Sequence, residues 1–176
     1  MGNRGGRFHR DDRTLENRRF VSRRWIACVC TFKDRHRDVW GQGYTELFFI
    51  DEVTALAAGH RPCFECRSND ARRFQASFPG VPGADAMDRI LHDERLMYGQ
   101  KRLHRRKLDD LPAGAMIAEM DACFAVRGDT LLPWSFEGYR APTPRPGGIA
   151  NVLTPPSIVE ALRAGYTPLW HRTAEN

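Results

Sequence analysis

The chain has no apolar run approaching the roughly 18 residues that a membrane-spanning helix needs. It also lacks internal repeats and the P-loop, GxGxxG, HExxH and GxSxG motifs that mark nucleotide, zinc-peptidase and serine-hydrolase chemistry. The opening Met1-Gly2-Asn3-Arg4-Gly5-Gly6-Arg7 is polar and basic, without the apolar segment of a secretory signal. Asp11, Asp12 and Glu16 make it too acidic for a transit peptide. These absences predict a soluble, cytoplasmic protein. Cysteine is too scarce for a disulfide scaffold: there are five, an odd number, and two of them stand as Cys63-x-x-Cys66. In a reducing compartment that spacing reads as metal binding, while Cys123 reads as a core thiol.

What the chain has in excess is arginine. The formal net charge is +5, and the charge is uneven. Residues 1–40 carry eleven Arg and Lys against five Asp and Glu, and 101–107 carry five basic residues in seven. A guanidinium fork fits phosphate oxygens two at a time, so this pattern points to a polyanion, above all nucleic acid. The candidate phosphate contacts are Arg18, Arg19, Arg23, Arg24, Arg35, Arg37, Arg61, Arg67, Lys101, Arg102, Arg105, Arg106 and Lys107, with Arg7 and Arg10 in the leading arm. Trp25, Trp40, Trp134 and Tyr139 interleave with arginine as base-stacking platforms do, although Trp25 and Trp134 read as core.

The chain is organised around residues 54–74. Asp51 is a candidate N-cap, Ala55 to Ala58 are strong helix formers, and Gly59 stands where a left-handed C-cap residue belongs. Pro62 stops helix continuation, Cys63 and Cys66 form a knuckle, and Ser68 or Asn69 opens a second helix that buries Ala71, Phe74 and Phe78. Upstream, Arg24 to Phe32 and Tyr44 to Ile50 read as two strands of a β-hairpin, joined by the charged turn at 33–38.

The run A-L-A-A-G-H-R-P-C-F-E-C-R, with Tyr44 to Asp51 before it, resembles the zinc-binding N-terminal domain of the Ada DNA-repair family over about Tyr44 to Phe74. The resemblance implies a zinc-knuckle scaffold, Cys63 and Cys66 as zinc ligands, and DNA as partner. The family's first ligand pair is Cys-x-x-x-Cys, one member of which accepts a methyl group from a DNA phosphotriester. Counting back by the family spacing reaches Phe32 and His36, where no such pair stands. The remaining zinc ligands are therefore open between Cys28 with Cys30, i and i+2 on a strand and so on one face, and a single cysteine with His36. His60, three residues before Cys63, reads as packing.

Beyond Pro79-Gly80-Val81-Pro82-Gly83, a linker, the pattern predicts a helix from Ala84 to about Tyr98. Strands are predicted over 115–120, 123–126 and 149–153, with a final helix from Ser157 to Ala164 and Leu169 to His171 returning to the sheet. Asp85, Asp88, His92, Asp93 and Glu94, with His104 beyond, form a possible metal-dependent nuclease set whose bland reading is a solvated helix face.

The expectation is an α+β protein: a flexible basic arm (1–17), a β-hairpin and two-helix zinc module (18–78), and a part (84–176) with a helix, a small mainly antiparallel sheet and a C-terminal helix. The expected function is a zinc-containing nucleic-acid-binding protein linked to DNA repair or regulation. The alternatives are an enzyme (nuclease or thiolate alkyl acceptor) and a zinc-supported protein-interaction module.

Overall fold

The computed structural model describes residues 1–33 and 38–175 and is α+β. Arg35, His36 and Arg37 lie outside the described residues. The order is β1 (Gly2–Asn3), β2 (Ile26–Ala27), α1 (Glu52–Ala57), β3 (Arg61–Pro62), α2 (Ser68–Ser77), α3 (Ala84–Arg95), β4 (Leu96–Met97), β5 (Gln100–Lys101) and β6 (His104–Lys107). After a 3-10 turn at Leu108–Asp110 come β7 (Met116–Glu119), β8 (Ala122–Arg127), β9 (Thr130–Ser135), β10 (Gly138–Tyr139), β11 (Thr143–Pro144), β12 (Ile149–Val152) and α4 (Pro156–Arg163).

Local chemistry sets the bounds of α1. Asp51 caps it through Oδ1, which accepts from the Thr54 N–H (2.8 Å) and hydroxyl (2.7 Å). At the other end Gly59 N–H donates to Leu56 O and His60 N–H to Ala55 O, the paired bonds of a Schellman ending. Gly59 has φ +83, and a Cβ there would stand 2.6 Å from Arg95 Cδ, so both conformation and space demand glycine. Two cations complete the terminus: Arg95 donates to Gly59 O and Lys101 to Ala57 O.

The main sheet runs β10-β9-β8-β7-β12-β6, all antiparallel, with β11 on the remaining stretch of β9. Helices α1 to α4 supply its cover. Leu56 of α1, Phe74 of α2, Met87 and Leu91 of α3, and Ile158 and Leu162 of α4 share one core with Ile117, Val126 and Val152 of the sheet. A smaller cluster joins Val53 and Ala57 to Met116, Ala125, Leu132 and Tyr139.

Four expectations change. The hairpin does not form: β2 is two residues long and pairs antiparallel with β1 and parallel with β3, and residues 44–50 contribute only a bridge from Leu47 to Gly2. The β-branched and aromatic content of 24–32 is spent instead on contacts such as buried Trp25. Residues 1–17 are no free arm, because β1 pairs with β2 in a small three-stranded sheet and Phe8 and His9 are buried, with Thr45 Oγ1 bonded to the Phe8 N–H and His9 Nδ1. Helix α3 stops at Arg95 rather than near Tyr98, because Leu96 and Met97 form β4 and pair with β5. Leu169 to His171 join no strand; the Leu169 N–H donates to Glu52 and the His171 N–H to Asp51, the carboxylates at the start of α1.

Candidate metal centre and basic surface

The backbone at β2 and β3 carries the cysteines. Cys63 follows β3, and its N–H donates to Ala27 O of β2 (3.0 Å), which lays Cys28 beside the knuckle. The Sγ atoms of Cys28, Cys63 and Cys66 all lie within 4.8 Å of one another. Tetrahedral zinc with Zn–S near 2.3 Å requires sulfurs about 3.8 Å apart, so small side-chain adjustments suffice. Cys28 and Cys63 are buried and Cys66 is partly so.

Hydrogen bonds make one member a ready thiolate. The Cys28 thiol donates to Cys63, and the N–H groups of Cys66 and Glu65 (3.4 Å) point at the same sulfur; together they outweigh burial and bring Cys63 to about 5. Cys28 is pushed up by giving its proton to that bond and by burial. Burial raises Cys66, although the Val29 N–H also points at it. A trio of two buried thiols and one half-buried thiol sharing protons in this way is the donor set that a thiophilic divalent ion displaces protons from.

Cys30 does not join them. The strand ends at Ala27, so the alternation that would place Cys28 and Cys30 on one face does not apply, and Cys30 is exposed. His36 lies outside the described residues. His60 packs between Trp25 and Phe49, with Arg4 Nε 3.5 Å from its Nε2, and burial holds its pKa well below the ordinary value. A cleft of about 520 Å³, bordered by Cys28, Cys30, Phe49, Arg67, Trp170 and His171, opens beside the trio.

The candidate phosphate contacts divide. Arg61 is buried in a two-pronged pair with Asp88, Nε to Oδ1 at 2.9 Å and Nη2 to Oδ2 at 2.7 Å. Arg67 is buried between Glu52 (2.9 Å) and Asp70 (2.8 Å), and Glu52 also accepts from Tyr166 and the Leu169 N–H. Both were expected to meet phosphate, and both instead hold α1, α2 and α3 together, because a guanidinium between helices is tolerable only with carboxylates on it. The Lys101 ammonium is turned onto Ala57 O. Arg18 pairs with Glu16 and Arg24 with Asp85, both at the surface, Arg19 reaches Glu16 O, and Arg102 reaches Asp93 O. Arg23 is exposed. Arg105, Arg106 and Lys107 are exposed on β6, the edge of the main sheet, and make no side-chain hydrogen bond or ion pair among the described residues.

No family model, curated protein or solved structure matches this chain. Its chemistry therefore rests on its own geometry. The nuclease set does not converge: Asp88 is taken by Arg61, Asp85 by Arg24 and Glu94 by Ser157 (2.6 Å), while His92 packs on Phe20 and His104 bonds Glu94 O. Among the described residues only the three cysteines form a group able to hold a metal ion, and no helix is long and apolar enough to cross a membrane.

One arrangement went unread in the sequence. The guanidiniums of Arg4 and Arg95 each lie 3.8 Å from the Trp25 ring centroid, which places them on its two faces. Each is lowered by burial first, Arg4 to about 10 and Arg95 to about 9. Nothing in the spacing of residues 4, 25 and 95 announces such a stack.

Proposed function

We propose that the protein is a zinc-centred nucleic-acid-binding protein. The observation that carries the zinc half is the convergence of Cys28, Cys63 and Cys66, drawn from two segments 35 positions apart in the chain, onto one buried point. A bound ion would cross-link β2 to the knuckle before α2, and its binding free energy would be folding free energy. His36, outside the described residues, remains the chain's candidate for a fourth ligand.

The nucleic-acid half is supported by the cations left without partners. Alternation along β6 sends Arg105 and Lys107 to one face and Arg106 to the other, so the edge presents positive charge on both sides. Arg23 adds to the exposed positive charge on the same chain. A charged edge also deters strand addition, and the two roles are compatible.

The test is binding of a labelled DNA duplex and of the single strand across a salt series. Each phosphate neutralised contributes about −0.9 to the slope of log affinity against log salt on duplex DNA. The triple variant Arg105→Glu, Arg106→Glu, Lys107→Glu should bind more weakly and flatten that slope by as much as about 3. Affinity that ignores salt, or a triple variant that binds as the parent does, refutes this half while leaving the zinc half standing.

The cleft beside Cys28 favours a second reading, in which the metal-bound thiolates are reactive and the protein accepts an alkyl group. Exposure to methylated DNA followed by intact-mass measurement decides it: a methyl adduct on one of the three cysteines supports this reading, and an unchanged mass opposes it.

A further inference from the structure

Residues 96–107 carry five Arg and Lys, no Asp or Glu, and one tyrosine. Leu96 pairs with Lys101 and Met97 with Gln100, which leaves Tyr98 and Gly99 as the two-residue turn between β4 and β5. Both turn residues have positive φ, +51 at Tyr98 and +74 at Gly99, a geometry that ordinarily selects Asn-Gly. A tyrosine in the left-handed region strains the backbone. The fold gains nothing from the ring in return: Tyr98 is 96% exposed and its side chain makes no hydrogen bond or ring contact among the described residues.

The base of this hairpin is braced. Lys101 Nζ donates to Ala57 O at the end of α1, the Arg102 N–H to Arg95 O, and Arg102 Nη1 to Asp93 O. Paired residues share a face, so Met97 lies on the face opposite to that of Lys101 and is itself exposed. The tip thus holds an aromatic ring in solvent on a short, anchored ribbon.

We propose that Tyr98 is a base-stacking finger, and that the surface from this hairpin to β6 takes single-stranded nucleic acid. The proposal rests on the nucleic-acid reading above and gives it a stacking platform. Bases of a duplex stack on one another, so a protruding ring finds an open π-face on an unpaired base. Arg105, Arg106 and Lys107 then meet the phosphates that follow. The seven residues from Tyr98 to Arg105 span at most about 25 Å, so one strand of several nucleotides reaches both. The turn between β7 and β8 supplies the contrast. Met120 there also has positive φ, +49, and is 95% exposed, but it stands between Glu119 and Asp121. The two tips share a geometry and differ in charge, and only the Tyr98 tip suits a polyanion.

The test titrates the full chain with a labelled oligothymidylate and with an abasic strand of the same length, which keeps the phosphates and removes the bases. Tyr98→Asn should bind the oligothymidylate on the order of tenfold more weakly, with the abasic strand and the salt slope unchanged. It should also melt no lower than the parent, because asparagine suits the turn. Tyr98→Trp should keep the affinity, and Met120→Asn should bind as the parent does. A parent that binds the two strands equally, or a Tyr98→Asn that keeps full affinity for oligothymidylate, overturns the proposal. In either case, weakened abasic binding by Arg105→Glu, Arg106→Glu, Lys107→Glu would leave the nucleic-acid reading standing. A parent that binds neither strand refutes both.

Discussion

Replacing Asp88 by Asn removes one charge while nearly preserving shape, and it tests whether Arg61 is structural. The Arg61 and Asp88 side chains are 6% and 2% exposed, so solvent cannot replace the lost carboxylate. Arg61 keeps its bond to Pro62 O and its place 5.2 Å from the Phe64 ring, but no anion remains on it. Breaking a buried pair from one side costs about 3–5 kcal/mol, because the surviving charge stays desolvated. For a chain of this size that is a fall in melting temperature of about 6–20 °C. Urea unfolding of Asp88→Asn reads the loss directly. Arg61→Met in the Asp88→Asn background should recover much of it, since the stranded charge is gone. Nucleic-acid affinity of the folded variant should be unchanged. A loss below about 1 kcal/mol, the range of exposed pairs, would refute the assignment and return Arg61 to the set of available cations.

The remaining predictions concern the same scaffold. Gly59→Ala should lose about 2–4 kcal/mol in chemical unfolding, combining the left-handed backbone penalty with the 2.6 Å approach to Arg95 Cδ; a neutral result would mean that the α1 terminus relaxes freely. His60, His92 and His104 all have pKa values lowered chiefly by burial, so the unfolded chain binds more protons than the folded one below about pH 6.5. Stability should therefore be complete above that pH and fall as pH drops through it, by as much as about 1.4 kcal/mol per pH unit for the fully buried His60 and by much less for the part-exposed His92 and His104. In His60→Gln the fall should be shallower, and an unaltered slope would contradict the buried neutral imidazole.

Local signals proved legible where the backbone obeys local chemistry. The Asp51 cap, the Gly59 ending, α2 with Ala71, Phe74 and Phe78 inward, and the strands around 116–127 and 149–152 all follow from capping, periodicity and turn residues. The knuckle pair Cys63 and Cys66 was readable from spacing. Cys28 was readable only as one of several partners, because its role depends on a two-residue parallel pairing of β2 with β3 that leaves no periodicity.

Charge misled most. Arg61 and Arg67 look no different in sequence from Arg105 and Arg106, and what separates them is long-range: Asp88 lies 27 residues from Arg61, and Tyr166 lies 114 from Glu52. The segment Asp51-Glu52 to Arg67 therefore reads in three dimensions as a scaffold in which nearly every polar side chain is committed. Its cysteines are what that scaffold presents.

Metal content tests the central claim most directly. Protein purified without chelator or immobilised metal should carry one zinc per chain, as counted by mass spectrometry. Cys28→Ser should abolish it together with much of the thermal stability, and Cys123→Ser should retain it. No metal in the parent, or a full complement in Cys28→Ser, would contradict the account.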